Sequence, residues 1–210
     1  MRKYHEKSGK LIPINGMPKA KKGVSCMVQP IRDINKIEEI KSNLYSNTRN
    51  YALFVLGINT ALRANEILSL RTKQIMDLSA NDGLKIYQSK TKSYRVISLN
   101  HAAISAVKRH IEREKSEPEH YIFENNRCFS HPIGVGYFGT LIKGWCADVG
   151  LRENYGSHTL RKTWGYMQRK HKKTPTLLLK KAFGHRYEWQ TIAYLGIEGD
   201  EINALYEMEL

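Results

Sequence analysis

Only three of the 210 residues are cysteine, Cys26, Cys128 and Cys146, widely spaced and with no CxxC among them. A disulfide framework and a zinc ribbon are thereby excluded as organising devices, and reduced thiols are the reading that fits. Histidine occurs eight times, yet no HExxH and no Cys/His cluster at ligand spacing is present. The chemistry is therefore to be sought among groups that work without a bound transition metal. No apolar run approaches the roughly 20 residues of a spanning helix, and no early apolar stretch resembles a signal peptide. These absences predict a soluble, cytoplasmic protein with no membrane partner. Internal repeats and low-complexity tracts are also lacking. Acidic residues are the scarce charge: 20 Asp and Glu stand against 34 Lys and Arg, a formal net charge of +14. Such a balance selects a polyanion as partner, with nucleic acid first among the candidates.

What is present suffices for one sizeable domain, since 210 residues with 41% hydrophobic content can bury a real core. Residues 1–32 carry eight Lys or Arg against a single Glu, with three prolines and three glycines. They read as a flexible basic arm, either a solvated tail or a segment that lies along phosphates. Residues 33–210 form the domain. It begins at "DINKIEEIKSNLYS", where Ile34, Ile37, Ile40 and Leu44 recur at helical spacing and Asn35 with Glu38 offers a capping box. "NYALFVLGINTAL" reads as a buried helix and "RANEILSLRTKQI" as a second one. "GLKIYQSK" and "YRVISLN", joined by "TKS", read as a hairpin. Asn100 caps a helix with Ala103, Ile104, Val107 and Ile111 on one face. After a loop containing "HPIG" come a helix ending at Gly150, another capped by Ser157, and the last helices in the remaining segment. The expected fold is mainly α with a small antiparallel β-sheet.

Several polar residues fall at telling places. His158 and Arg161, in "HTLRK", stand at i and i+3, so on a helix they share a face and can address one small anion; a solvated basic face is the plainer alternative. Arg63 follows a buried helix in "NTALRANEIL", where a charge needs solvent or a partner, and Glu66 can orient it or merely pair with it. Lys90 and Lys92 flank the hairpin turn, equal candidates for delivering an ammonium group into a cleft. His185 and Tyr194 lie in "FGHRYEWQTIAYLGI", near the chain end. Two arginines, two histidines, a lysine and a tyrosine are what in-line attack of a phenol on a phosphodiester needs. Guanidiniums hold the non-bridging oxygens, the phenol attacks, and an acid protonates the departing oxygen. Arginine suits the clamp because its planar fork matches phosphate oxygens.

In order and spacing, "TALRANEIL", "SKTK", "HTLRK", "GHR" and "TIAYLGI" resemble the tyrosine recombinase (phage integrase) family over roughly residues 33 to 206. The resemblance implies that Arg63 and Arg161 clamp the phosphate, with Glu66 supporting Arg63. It implies Lys90 as general acid toward the 5′ oxygen and His158 as proton-transfer neighbour. His185 takes the family's His/Trp position, and Tyr194 is the nucleophile forming a 3′-phosphotyrosyl link. Because that link keeps the phosphodiester energy, no ATP and no other cofactor is expected. The family acts on double-stranded DNA as a tetramer, and segment 195–210 is expected to pack on a neighbouring protomer. Only the basic arm precedes residue 33, where family members carry a helical clamp domain. The run "HTLRKTWGY" followed by a terminal "YLGI" resembles the small integrases that consist of little beyond the catalytic domain. Two rival readings follow: an accessory DNA-binding factor acting on a full-length recombinase from the host or the element, and a type IB topoisomerase-like enzyme.

Overall fold

Helices α1 (Ile34–Leu44), α2 (Thr48–Asn59) and α4 (His101–Glu114) start where short polar side chains cap them. A computed structural model describes residues 4–7, 10–13, 28–88, 93–125, 128–195 and 204–207. Asn47 accepts from the Asn50 N–H and Asn100 from the Ala103 N–H, each satisfying a donor that the first helical turn leaves open. At α1 the cap is Asp33, which accepts from the Asn35 N–H at 2.8 Å, so the expected Asn35/Glu38 capping box gives way to a cap two residues earlier. Order also begins before Asp33. Ile31 is fully buried, its N–H donates to Thr163 Oγ1, and the Gln29 N–H donates to the Asn154 carbonyl.

The core is centred on α2, whose Ala52, Leu53, Phe54, Val55 and Leu56 are all buried. α4 runs antiparallel to it, since Thr48 meets His110 at one end while Asn59 meets Asn100 at the other. On α4, Ala103, Ile104 and Val107 are buried as expected, and Ile111 packs against the same core. α6 (Thr159–Lys172) crosses α2 closely: a Cβ on Gly57 would meet Leu160 Cβ at 2.9 Å, so only glycine permits the approach. α5 (Val135–Asp148) closes the core with Phe138, Ile142 and Trp145, and Gly150 follows it with φ +80°.

Beyond "TALR" the expected long helix is a short one, α3 (Ala64–Leu68), followed by a 3₁₀ turn at Thr72–Gln74. Among the described residues the β structure is three two-stranded antiparallel ladders: β1 (Tyr4–Lys7) with β2 (Lys10–Pro13), β3 (Gly83–Gln88) with β4 (Ser93–Ser98), and β5 (Glu124–Asn125) with β6 (Cys128–Pro132). Of these, β3–β4 is the expected hairpin. The last pair falls within the segment expected to be a loop containing "HPIG", and the first forms within the basic arm. Strand alternation makes β3–β4 two-faced: Leu84 and Ile86 are buried, while Tyr87, Tyr94 and Val96 are exposed. α7 (Thr176–Phe183) and α8 (Glu188–Leu195) complete the described helices, with a 3₁₀ turn at Ala204–Glu207.

Candidate active site

Three chain ends converge: the segment leaving α2, the N-terminus of α6 and the C-terminus of α7. Gly184, at φ +63°, stops α7 in the left-handed conformation. The Gly184 and His185 N–H groups return to the Lys181 and Lys180 carbonyls, which leaves those of Ala182 and Phe183 without helical donors. Arginines supply them. Arg161 donates to the Phe183 carbonyl at 2.6 Å and to the Ala61 carbonyl, Arg63 donates to the Phe183 carbonyl at 3.4 Å, and Arg95 donates to the Ala182 carbonyl at 2.7 Å. The negative end of the α7 dipole thus lies on guanidiniums, the favourable sense of that interaction.

Arg161 is 3% exposed, which rules out the solvated basic face as its setting. Burial draws its pKa down to about 10, so it stays charged at neutral pH. Glu66, 5% exposed, does more than pair locally. Its Oε1 accepts from Arg63 Nη1 at 3.1 Å, while Oε2 accepts from the Arg63 N–H at 2.7 Å and from Arg95 Nη2 at 2.8 Å. Two guanidiniums bind this carboxylate and a third, Arg161, shares the Phe183 carbonyl with Arg63, which leaves the cluster cationic and suited to an anion.

Against this cluster stands Tyr194 on α8. Its hydroxyl is 2.8 Å from His158 Nδ1, and with the imidazole proton on Nε2 the phenol donates to Nδ1. The Arg161 guanidinium carbon lies 5.8 Å and Lys162 Nζ 5.1 Å from the centroid of the Tyr194 ring. Burial raises the Tyr194 pKa, while the charge of Arg161 and its hydrogen bond work in the opposite direction. His158 is held below the ordinary histidine range by desolvation of its ring and then by Arg161, Arg63 and Lys162. It is therefore neutral at pH 7 and able to accept a proton. His185 stacks on Phe183 at 5.0 Å, and its Nδ1 lies 3.0 Å from Thr191 Oγ1. Burial and the charges of Arg161 and Arg63 push its pKa down to about 4.

Arg63, Glu66, His158, Arg161, His185 and Tyr194 are thus brought together. The hairpin turn with Lys90 and Lys92 lies outside the described residues. The N-cap of α6 is His158 rather than the expected Ser157, and His158 and Arg161 still address one place together, the first at the Tyr194 hydroxyl and the second at its ring. Two cations escape the sequence reading. Arg95 carries a period-two signal, an arginine directly opposite buried Ile86. Lys162, 6% exposed, has no such signal beyond following Arg161.

Residues 31–198 match the Phage integrase family. The chain belongs to that family. It is 36% identical over 186 residues to the Probable integrase/recombinase YoeC of Bacillus subtilis strain 168, a match covering 87% of this chain and 97% of that one. The fold resembles the crystal structure of XerA recombinase with a TM-score of 0.68 at 19% identity, over 93% of this chain and 68% of that one. It also resembles a lambda integrase fragment in a dimer bound to a COC′ core site, with a TM-score of 0.61 at 16% identity, over 81% of this chain and 60% of that one. This integrase-family chain is a tyrosine-type site-specific recombinase. Among the described residues no helix is long and apolar enough to cross a membrane.

Proposed function

We propose that this chain cleaves and rejoins double-stranded DNA at specific sites with Tyr194 as nucleophile. The phenol oxygen attacks the scissile phosphorus and the P–O5′ bond breaks, leaving the 3′ end on the tyrosine and a free 5′ hydroxyl. The phenol proton passes to His158 Nδ1. Arg63 and Arg161 hold the non-bridging oxygens as charge builds on them, Glu66 orients Arg63, and His185 donates to the same phosphate. A hairpin lysine, Lys90 before Lys92, protonates the leaving 5′ oxygen. Religation to a new 5′ hydroxyl runs the steps in reverse and draws on no cofactor. The setting is the cytoplasm of a bacterial or phage-infected cell, and the working unit is a tetramer on two DNA sites.

The observation that carries this reading is the 2.8 Å contact between the Tyr194 hydroxyl and a neutral His158 beside buried Arg161. A phenol placed at a proton acceptor and a guanidinium is an activated nucleophile. The test is covalent capture. Sheared, nicked genomic DNA of the source cell is incubated with the protein, and adducts surviving denaturation are recovered and sequenced. The expected outcome is enrichment of one site, with adducts abolished by Tyr194→Phe while folding and DNA binding persist. Adducts that survive this substitution would assign the nucleophile elsewhere.

A further inference from the structure

We propose that Arg95 is a positioning residue for the phosphate clamp: a third guanidinium that does not meet the DNA but holds Arg63 and Arg161 in the geometry that does. The proposal rests on the reading of those two arginines as the clamp.

Arg95 sits on the inward face of β4, directly opposite Ile86, while its neighbours Tyr94 and Val96 face solvent. Its side chain is 15% exposed. Every acceptor it uses belongs to a clamp arginine or adjoins one. It donates to Glu66 Oε2 at 2.8 Å, the carboxylate that also binds Arg63. It donates at 3.4 Å to the Ala61 carbonyl, which also accepts from Arg161. Its third acceptor, the Ala182 carbonyl, precedes the Phe183 carbonyl taken by both Arg63 and Arg161.

Fold stability alone does not account for this residue. A third cation beside Arg63 and Arg161, sharing one carboxylate, adds repulsion, and both Arg161 and His158 feel the other cations as opposing their charged forms. The Arg95 Nε is buried without a partner, a further cost. Beside Leu84 and Ile86, an aliphatic residue would fill the position without either penalty. What arginine alone supplies is a planar fork reaching a carboxylate and two carbonyls at once. Remove it, and Glu66 Oε2 keeps only the Arg63 N–H, so the carboxylate is free to turn and draw the Arg63 guanidinium away from the phosphate position. The Ala61 carbonyl is then held by Arg161 alone.

The test uses the full chain and nicked duplexes bearing the captured site in three forms: an ordinary scissile phosphate, a neutral methylphosphonate there, and a sulfur replacing the 5′ bridging oxygen. Arg95→Met is expected to slow adduct formation roughly tenfold or more on the phosphate. That loss should shrink severalfold on the methylphosphonate, which carries less charge for the clamp to hold, and persist on the sulfur substrate. Unchanged cleavage, or equal loss on all three substrates, overturns the proposal in favour of no role or a purely structural one. Relief on the sulfur substrate also overturns it, because β4 would then be acting through the hairpin lysine as leaving-group acid. Arg161→Ala serves as the reference. If the methylphosphonate does not relieve its defect either, the clamp reading itself fails, a result distinct from failure of Arg95→Met alone. Should Arg95→Met not fold, Arg95→Gln, which keeps one donor group, is read by the same ratios.

Discussion

Arg161 is 3% exposed and bonded to two backbone carbonyls, whereas Tyr194, whose ring centroid is 5.8 Å from that guanidinium, rides on an eight-residue helix anchored by buried Thr191 and Leu195. Arg63 and Glu66 adjoin the main core through Leu62, Ile67 and Leu68. The Tyr194 side instead rests on a satellite cluster of Ala61, Leu179, Phe183 and Leu195. Its outer surface leaves Leu177, Leu178, Trp189 and Ile192 exposed. Segments with few buried apolar contacts open at lower free energy than core elements. Arg63 and Glu66 are therefore preorganised by the main core, whereas Tyr194 and the Ala61 and Phe183 carbonyls that receive Arg161 share a seat that can yield without unfolding the domain.

Breaking the clamp should have the largest effect. Arg161→Lys keeps the charge but loses the fork, and adduct formation should fall by roughly a hundredfold or more. Near-normal rates from the lysine variant would mean that the buried guanidinium holds carbonyls only. Truncating each side's apolar support comes next. Leu56→Ala, in the main core, should cost about 2–5 kcal/mol of global stability in denaturant titrations. Leu179→Ala should chiefly accelerate amide exchange in α7 and α8, with a smaller change in the global midpoint. Equal global losses would erase the distinction between the two regions. Gly165→Ala is a milder intrusion under the seat: the added Cβ would press on Phe183 and lie 3.0 Å from Leu195 Cδ2. Overpacking of this kind costs about 1–3 kcal/mol, and cleavage should suffer more than DNA binding, measured side by side.

The smallest effect expected is on acidification. His158 and His185 have folded-state pKa values below the ordinary 6.5, the latter about 4, and His110 is likewise lowered, mainly by burial. Their contribution to stability is fully present above pH 6.5 and is lost as pH falls through the folded values. Histidine Cε1–H shifts of the free protein should place the His158 midpoint below 6.5, and thermal midpoints should drop between pH 7 and 5. A His158 midpoint above 6.5 would mean that burial and the cations beside it do not govern its charge.

Much of this layout is legible in the sequence. α2 and α4 announce themselves through long apolar patterns with asparagine caps, and β3–β4 through alternation on either side of a turn. His158, Arg161 and Tyr194 are singled out by the resemblance of their motifs to the family, since an HxxR or one tyrosine among twelve is a weak signal by itself. The two-residue strand Glu124–Asn125 is too short for any alternation to register, and its register shift blurs it further. Asn35 and Ser157 are both good caps by type, yet Asp33 and His158 take those positions because tertiary packing sets where each helix starts. Arg95 is hidden in the sequence because a charged residue between Tyr94 and Val96 looks solvated until the strand's inward face is known. The acceptors for three arginines were wholly invisible, since a backbone carbonyl has no letter in a sequence.

That last point bears on portability. The Ala61, Ala182 and Phe183 carbonyls that receive the guanidiniums exist because α2 has ended before Ala61 and α7 stops at Gly184. Grafting the arginines, histidines and tyrosine onto another scaffold would transplant donors without their acceptors, and each guanidinium would seek the nearest carboxylate instead. A transferable unit must include the termination of a helix, so the least substitutable letter in such a graft is a glycine that touches no substrate.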